Sequence, residues 1–249
     1  MKKIITLIGS RAEKSNTARL AEFFVGKLRE VNTSEGIENE LLFPEQWGLK
    51  PCISCNNCFT RGVCVLDEND GMKQLKEKLM ASDVVIIGSP VFAAHVSGDT
   101  KHLIDRLSMW LHTMPLIGKY GIVLSTTSSN NGDAVTDYLG RMMEGMGLQI
   151  VLRLNAFIHK GEPMITDLQG LTALISEPAS ILSDALFRGI RPQVSETLAA
   201  YYAHQSLQYK KIKKLAANYP LFDSGERRLW EEQGYMPYAT IQELLRMTL

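Results

Sequence analysis

The sequence predicts a three-layer α/β domain built on a five-stranded parallel sheet and followed by a helical region. Three observations carry this expectation. Short apolar runs rich in β-branched residues recur up to about residue 157, amphipathic helical patterns separate them, and beyond about Pro163 only helical patterns remain. Strands and helices that alternate in this way pair in parallel through right-handed crossovers, with helices covering both faces of the sheet.

The first run, 4–8, is continuously apolar and closes at Gly9-Ser10, as expected of a strand buried on both faces. Behind it Leu20, Phe23, Phe24, Leu28 and Val31 recur at three- and four-residue steps, with Ser15, Asn16 or Thr17 available to cap the first turn. A weaker strand covers 38–43. Further strands at 84–88, 121–125 and 150–154 alternate with helices over 72–80, 100–111 and 134–146. Five strands suit the flavodoxin-like order 2-1-3-4-5, which places a ligand crevice at the carboxyl ends of the strands. The loops after strands one, three and four are therefore expected to carry function. Helices over 168–186, 195–217, 225–233 and 240–247 read as an added region, not a sixth βα unit. The expected division is an α/β domain at 1–162 with a cysteine-rich loop at 48–72, then a helical extension at 163–249 that caps the domain or joins subunits.

Among the 249 residues, 27 basic side chains balance 27 acidic ones, and 45% are hydrophobic. That composition argues against a nucleic-acid surface, which needs a basic face, and against a disordered chain. No apolar run approaches the ~18 residues of a membrane span, so a soluble, cytoplasmic protein without membrane or nucleic-acid partners is expected. The stretch Lys210-Lys211-Ile212-Lys213-Lys214 reads as a solvated helix face. Histidines at 95, 102, 112, 159 and 204 have no metal spacing, and only His95 lies in a loop expected to hold a ligand.

The first of those loops, Gly9-Ser10-Arg11-Ala12-Glu13-Lys14-Ser15-Asn16-Thr17, opens directly onto a helix. Unpaired N–H groups at a helix start, joined by the side chains of Ser10, Ser15, Asn16 and Thr17, suit an anion; the bland alternative is that these groups only cap the helix. The loop matches neither G-x-G-x-x-G nor G-x-x-x-x-G-K-[ST], so a terminal monophosphate, as in FMN, is a better guest than a dinucleotide. Strand three ends in Gly88-Ser89-Pro90-Val91-Phe92-Ala93-Ala94, a proline-stiffened turn with an aromatic edge suited to a flat ring system.

All four cysteines fall in one segment, Cys52, Cys55, Cys58 and Cys64, spaced C-x2-C-x2-C-x5-C. Such close spacing suits a compact [4Fe–4S] cluster, whose usual ligands are thiolates. Unmetallated thiols in a substrate-side or interface loop remain open, as do zinc, which more often joins two distant ligand pairs, and a redox disulfide.

Taken together, these loops resemble the NAD(P)H-dependent FMN reductases and iron–sulfur flavoproteins. That family's pattern is G-S-P-R-x-x-x-N-T after strand one, a cysteine-rich loop after strand two, and S-P-V-Y with a later S-G-x-x-K-x-x-x-D-R after strand three. This chain matches Gly9, Ser10, Asn16 and Thr17, then Ser89-Pro90-Val91-Phe92, Ser97-Gly98, Lys101 and Asp105-Arg106. It departs at Arg11-Ala12, where the family has Pro-Arg, and at Phe92, where the family has tyrosine. The resemblance covers about residues 1–155. It implies that Ser10, Arg11, Ser15, Asn16 and Thr17 hold the FMN phosphate, that Pro90, Val91, Phe92 and Ala93 lie along the isoalloxazine, and that Thr126, Thr127 and Ser128 complete the pocket. It further implies that Cys52, Cys55, Cys58 and Cys64 are candidate cluster ligands. The implied activity is an FMN-dependent oxidoreductase taking electrons from NAD(P)H or a reduced carrier to flavin, quinone or another acceptor. An alternative is an electron carrier with a ferredoxin-like partner and no small-molecule substrate; a flavin-free scaffold is a third reading. No acid/base triad is expected, because the flavin itself carries the chemistry. Tyr201, Tyr202, Tyr209, Tyr219, Trp230, Tyr235 and Tyr238 in the extension suggest packing against the domain or a second subunit, and a homodimer or higher oligomer is expected.

Overall fold

In the computed structural model, which describes residues 1–32, 36–158 and 168–248, strand and helix alternate as the apolar pattern requires. The order is β1 (Lys2–Ile8), α1 (Asn16–Val31), β2 (Ile37–Leu42), α2 (Pro44–Trp47), α3 (Asn57–Arg61), α4 (Met72–Ala81), β3 (Val84–Pro90), α5 (Gly98–Arg106), α6 (Trp110–Thr113), β4 (Tyr120–Thr127), α7 (Gly132–Gly145) and β5 (Gln149–Phe157). All strand pairs are parallel and the sheet order is β2-β1-β3-β4-β5, as the sequence predicts.

The two-residue side-chain period of a strand sorts the sheet into two cores. Ile5, Leu7, Val85, Ile87 and Val123 meet α4, α5 and α7 on one face, while Ile4, Ile8, Val84, Ile86, Ile122 and Leu124 meet α1 on the other. The helix expected over 100–111 is broken. The N–H of Leu107 bonds back to both Leu103 and Ile104 at 3.1 Å, which closes α5, and α6 begins anew at Trp110.

The sandwich is not complete at residue 157. Ile175, Ala179 and Leu182 of α8 (Leu168–Ser183) are fully buried in the same core as Leu20, Phe24 and Leu28 of α1, so α8 is the closing helix of that layer. The helical period shows that this segment has an apolar face but not which layer that face meets. The expected boundary at 162/163 and His159 lie outside the described residues.

A third, smaller core begins after α8. It joins α9 (Glu196–Asn218), α10 (Gly225–Glu232) and α11 (Ile241–Thr248) to Met114, in the turn before β4. At its centre the Trp230 ring lies 5.3 Å from the rings of Tyr202 and Tyr209 and 5.1 Å from that of Tyr235, the last edge-on. Such tilted and edge-on pairs are favourable beyond the area they bury. The Tyr202 hydroxyl donates to Tyr235 O at 3.1 Å, and burial pushes the Tyr235 phenol up to about 12. Four of the aromatics expected to pack against another surface are therefore packed within one chain. Among the described residues no helix is long and apolar enough to cross a membrane.

Candidate flavin and cysteine site

Two neighbouring features form at the carboxyl ends of the strands, and α5 joins them. The first is the loop between β1 and α1. Ser15 is the N-cap of α1, its hydroxyl accepting from Ala18 N at 3.3 Å, and Ser10 Oγ accepts from Ala12 N at 3.3 Å. The first turn of α1 has no acidic side chain, so the positive end of its dipole is not offset from within. Asn16 Oδ1 is buried without a hydrogen-bond partner. An orphaned polar atom at a helix start is unusual in a finished structure and marks a place where a ligand belongs. Thr17 Oγ1 lies 2.6 Å from Thr126 Oγ1, tying the first loop to the end of β4.

Gly9 allows α5 to come close. A Cβ there would lie 1.8 Å from Thr100 Oγ1, so any side chain would push the α5 start away from the loop. Ser97 caps α5, accepting from Thr100 N at 3.2 Å, and Ser97 N donates to Ser89 Oγ at 3.0 Å. Arg11 is 69% exposed and held by Asp99, with Nη2 2.9 Å from Oδ1 and Nε 3.0 Å from Oδ2. That bond lies first among the reasons the Asp99 carboxyl sits below its usual range. The arginine expected at the phosphate is thus engaged by α5.

Pro90 pairs in register with Thr126, and Val91 N donates to Thr126 O at 3.1 Å. Beyond them Phe92 and His95 bond each other through both backbone groups, at 2.9 and 3.0 Å, around Ala93 (φ 48°) and Ala94 (φ 64°). Two successive left-handed residues make a type I′ turn, for which alanine is a strained choice. Phe92 is 58% exposed on this turn, a large apolar ring left in solvent. Thr127 Oγ1 donates to Asn130 O at 3.1 Å and Ser128 is exposed. The acid-free helix start and the exposed Phe92 edge fit an FMN whose phosphate meets the first loop and whose ring meets the third, and the orphaned Asn16 Oδ1, an acceptor, suits a hydroxyl of that ligand.

The second feature is a cavity of about 460 Å³ lined by Cys52, Cys55, Cys58 and Cys64 together with His102, Asp105 and Arg106 of α5. Ser54 (φ 55°) and Asn56 (φ 60°) turn the loop so that backbone amides face the sulfurs. Ser54 N donates to Cys52 Sγ at 3.4 Å, the Asn57 amide lowers the Cys55 thiol pKa, and the Phe59 amide partly offsets the burial that pushes the Cys58 thiol up. Backbone N–H groups directed at successive sulfurs suit thiolates that carry charge. None of the four is in a disulfide. Among the described residues no three His, Cys, Asp or Glu side chains converge as ligands to one metal ion. The four cysteines line one cavity, and thiolates are the usual ligands of an iron–sulfur cluster. Cys64 also lines a second cavity of about 500 Å³, shared with Trp110, Lys76 and Gln233.

Residues outside the sequence-derived site hold this loop. Arg106 is fully buried (0% side-chain exposure); Nη1 donates to Lys50 O at 2.9 Å and to Asp70, and Nη2 to Asp67 Oδ1 at 3.0 Å. From the other side α10 seats on α3. A Cβ on Gly225 would lie 2.1 Å from Gly62 N, Arg228 donates to Thr60 O at 3.3 Å, and Glu226 Oε1 is 2.6 Å from His112 Nδ1. The motif S-G-x-x-K-x-x-x-D-R contains Ser97, Thr100 and Arg106, but their partners are distant in sequence and become visible only in the fold.

A parallel sheet in this order, with ligand loops at its carboxyl edge, defines a flavodoxin-like α/β protein. The sequence pattern of the NADPH-dependent FMN reductase family matches residues 2–162. The chain belongs to that family and is an FMN-dependent oxidoreductase. It is similar to an iron–sulfur flavoprotein of Archaeoglobus fulgidus, with 26% identity over 94% of this chain and 100% of the relative. An iron–sulfur flavoprotein of Methanocaldococcus jannaschii is 33% identical over 54% of this chain and 66% of its own length. Among solved structures, an oxidoreductase from Corynebacterium diphtheriae shares the fold with a TM-score of 0.55 and 19% identity, covering 76% of this chain and 98% of that one.

Proposed function

We propose that the protein couples a two-electron flavin site to a one-electron iron–sulfur site. The observation that carries this reading is the cavity lined by all four cysteines, with backbone N–H groups at the sulfurs of Cys52, Cys55 and Cys58 and with α5, whose start packs on the first loop, contributing to its wall. Bound FMN supplies interchange between two-electron and one-electron chemistry, and a [4Fe–4S] cluster supplies single-electron transfer.

The residues then have distinct tasks. Ser10, Ser15, Asn16 and Thr17 with the α1 N-terminus bind the phosphate, Pro90 to Ala93 and Thr126 to Ser128 orient the ring, and Phe92 covers one edge of it. Arg11 acts by fixing α5 through Asp99. Cys52, Cys55, Cys58 and Cys64 hold the cluster. The donor is NAD(P)H or a reduced carrier. A ferredoxin-like acceptor, or a quinone, can approach Cys64 through its second cavity without displacing flavin.

The four cysteines are unbridged, in keeping with a cytoplasmic setting. Leu207, Leu215 and Leu221, exposed on α9 and just beyond it, support a homo-oligomer. A second reading, an FMN reductase whose thiols carry no metal, draws on the lack of convergent metal ligands among the described residues.

Anaerobic purification followed by iron, sulfide and FMN assays separates the two. The coupled reading expects ~4 iron and one FMN per chain; FMN without iron supports the second. NAD(P)H oxidation with quinones, compared with reduction by a ferredoxin, then identifies the donor and acceptor.

A further inference from the structure

We propose that Arg106 is a positioning residue that clamps both arms of the cysteine loop through its two Nη groups and keeps its Nε–H as a donor for a sulfur beside Cys64. The donor half rests on the cluster reading above; the clamp does not.

The clamp is visible in the bonds. The chain enters the loop at Lys50, whose carbonyl accepts from Arg106 Nη1 at 2.9 Å, and leaves it at Asp67 and Asp70, whose carboxylates accept from both Nη groups. The same Asp70 accepts from Lys50 N at 2.9 Å and from Met72 N at 3.0 Å, so the two arms are also joined to each other. Every bond made by Nη1 and Nη2 therefore shortens the loop's freedom at its base, well before any ligand enters.

What remains is Nε. It is buried and has no partner, although the guanidinium is fully enclosed. Leaving a charged donor buried and unpaired costs several times what an ordinary hydrogen bond contributes, so the arrangement points to an absent acceptor. Arg106 and Cys64 line the same cavity. The acceptor that chemistry puts there is a thiolate or a cluster sulfide.

The local charge balance sharpens this. Arg106 and Lys76 face Asp67 and Asp70, with Lys76 Nζ 2.6 Å from Asp67 Oδ2, so two cations meet two carboxylates. The shell is neutral. Arg106 acts on the cavity through a directed N–H, not through net charge, and lysine cannot replace it there. Hydrogen bonds to cluster sulfurs raise the reduction potential by stabilising the more negative reduced state.

Arg106→Lys and Arg106→Gln test both halves. In protein stripped of iron, backbone amides over residues 50–70 should exchange at least tenfold faster in R106Q and moderately faster in R106K, with those of β1, β3 and β4 unchanged and FMN retained. In iron-loaded R106K the cluster's reduction equilibrium should move about tenfold toward the oxidised form, about 59 mV for one electron, with an altered electron paramagnetic resonance spectrum. Unchanged loop exchange in both variants overturns the clamp. Faster exchange with a wild-type potential and spectrum overturns the Nε–H assignment. Wild-type protein that takes up no iron under anaerobic reconstitution removes the cluster reading and the donor half with it, while the exchange measurement still decides the clamp.

Discussion

Asn16 and Arg106 each hold a buried polar atom without a partner, Oδ1 in one and Nε in the other, and they stand at the two features that α5 connects. For Asn16 the expectation has opposite signs for binding and for stability. Asn16→Asp keeps the size but places a negative charge at the start of α1, where a phosphate is to sit. FMN affinity should fall at least tenfold, about 1.4 kcal/mol. The apo-protein should melt no lower, because an acid at a helix N-terminus is favourable by ~0.3–1 kcal/mol. Fluorescence titration and a thermal melt measure the two; undiminished FMN affinity would remove Asn16 from the phosphate site. Asp70 gives a pH prediction. Burial works to raise its carboxyl pKa, but the bonds from Arg106 and from the Lys50 and Met72 amides prevail and hold it below the usual range. The unfolded state then binds the proton more readily, so the stabilisation is fully present above the ordinary carboxylate pKa of about 4 and is lost as pH falls through the lowered folded value. The melting temperature of the metal-free protein should therefore exceed that of an Asp70→Asn variant, which has already lost the charge, above about pH 4, and the difference should shrink as pH falls below that value. Equal pH profiles in the two proteins would show that Asp70 does not carry this stabilisation.

At the scale of elements, the strands were readable because a strand buried on both faces must be mostly apolar, as Val84 to Ile87 are and as Ile4 to Ile8 are apart from Thr6. The long helices were readable for the corresponding reason at a period of 3.6. Helices α2 and α3 span only four and five residues, too short for any period to register, and they rest on tertiary contacts. The break after Arg106 left no sequence mark either, since the apolar spacing runs on through Leu107 and Trp110. Among the candidate site residues, Ser15, Asn16, Thr17 and the cysteines could be singled out from the sequence because the chemistry they suggest is local. Arg11's bond to Asp99 and the seating of α10 on α3 were not, because sequence spacing does not encode which surfaces meet. That last contact can be tested directly. Gly225→Ala places a methyl 2.1 Å from Gly62 N, backbone against backbone, and one side must move. Overpacking of this kind costs ~1–3 kcal/mol. The variant should melt earlier and expose Cys58 to alkylation while binding FMN normally; protection of Cys58 equal to wild type would mean that α10 does not buttress α3.

The whole molecule is two structures sharing one chain, a sandwich that carries the candidate flavin loops and against which Cys58 and Phe59 pack, and a small aromatic core whose α10 seats on α3. Met114 links them, since it belongs to the third core and lies in the turn that leads into β4. If each core is loaded by its own feature, damage to one should spare the other. Trp230 is fully buried at the centre of the third core, and Trp230→Ala should cost ~3–5 kcal/mol there. Ile175, equally buried, packs in the sandwich with α1, whose N-terminus forms the phosphate site; Ile175→Ala should cost ~2–5 kcal/mol in that layer. The sandwich makes no use of Trp230, so W230A should lose iron with FMN retained and the sheet signal in circular dichroism intact. In I175A the weakened element is the one that positions Asn16, so FMN affinity should fall at least as much as iron content. Parallel loss of FMN and iron in W230A would show instead that the cores unfold as one cooperative unit, and that the extension stabilises the whole protein and not the cysteine loop in particular.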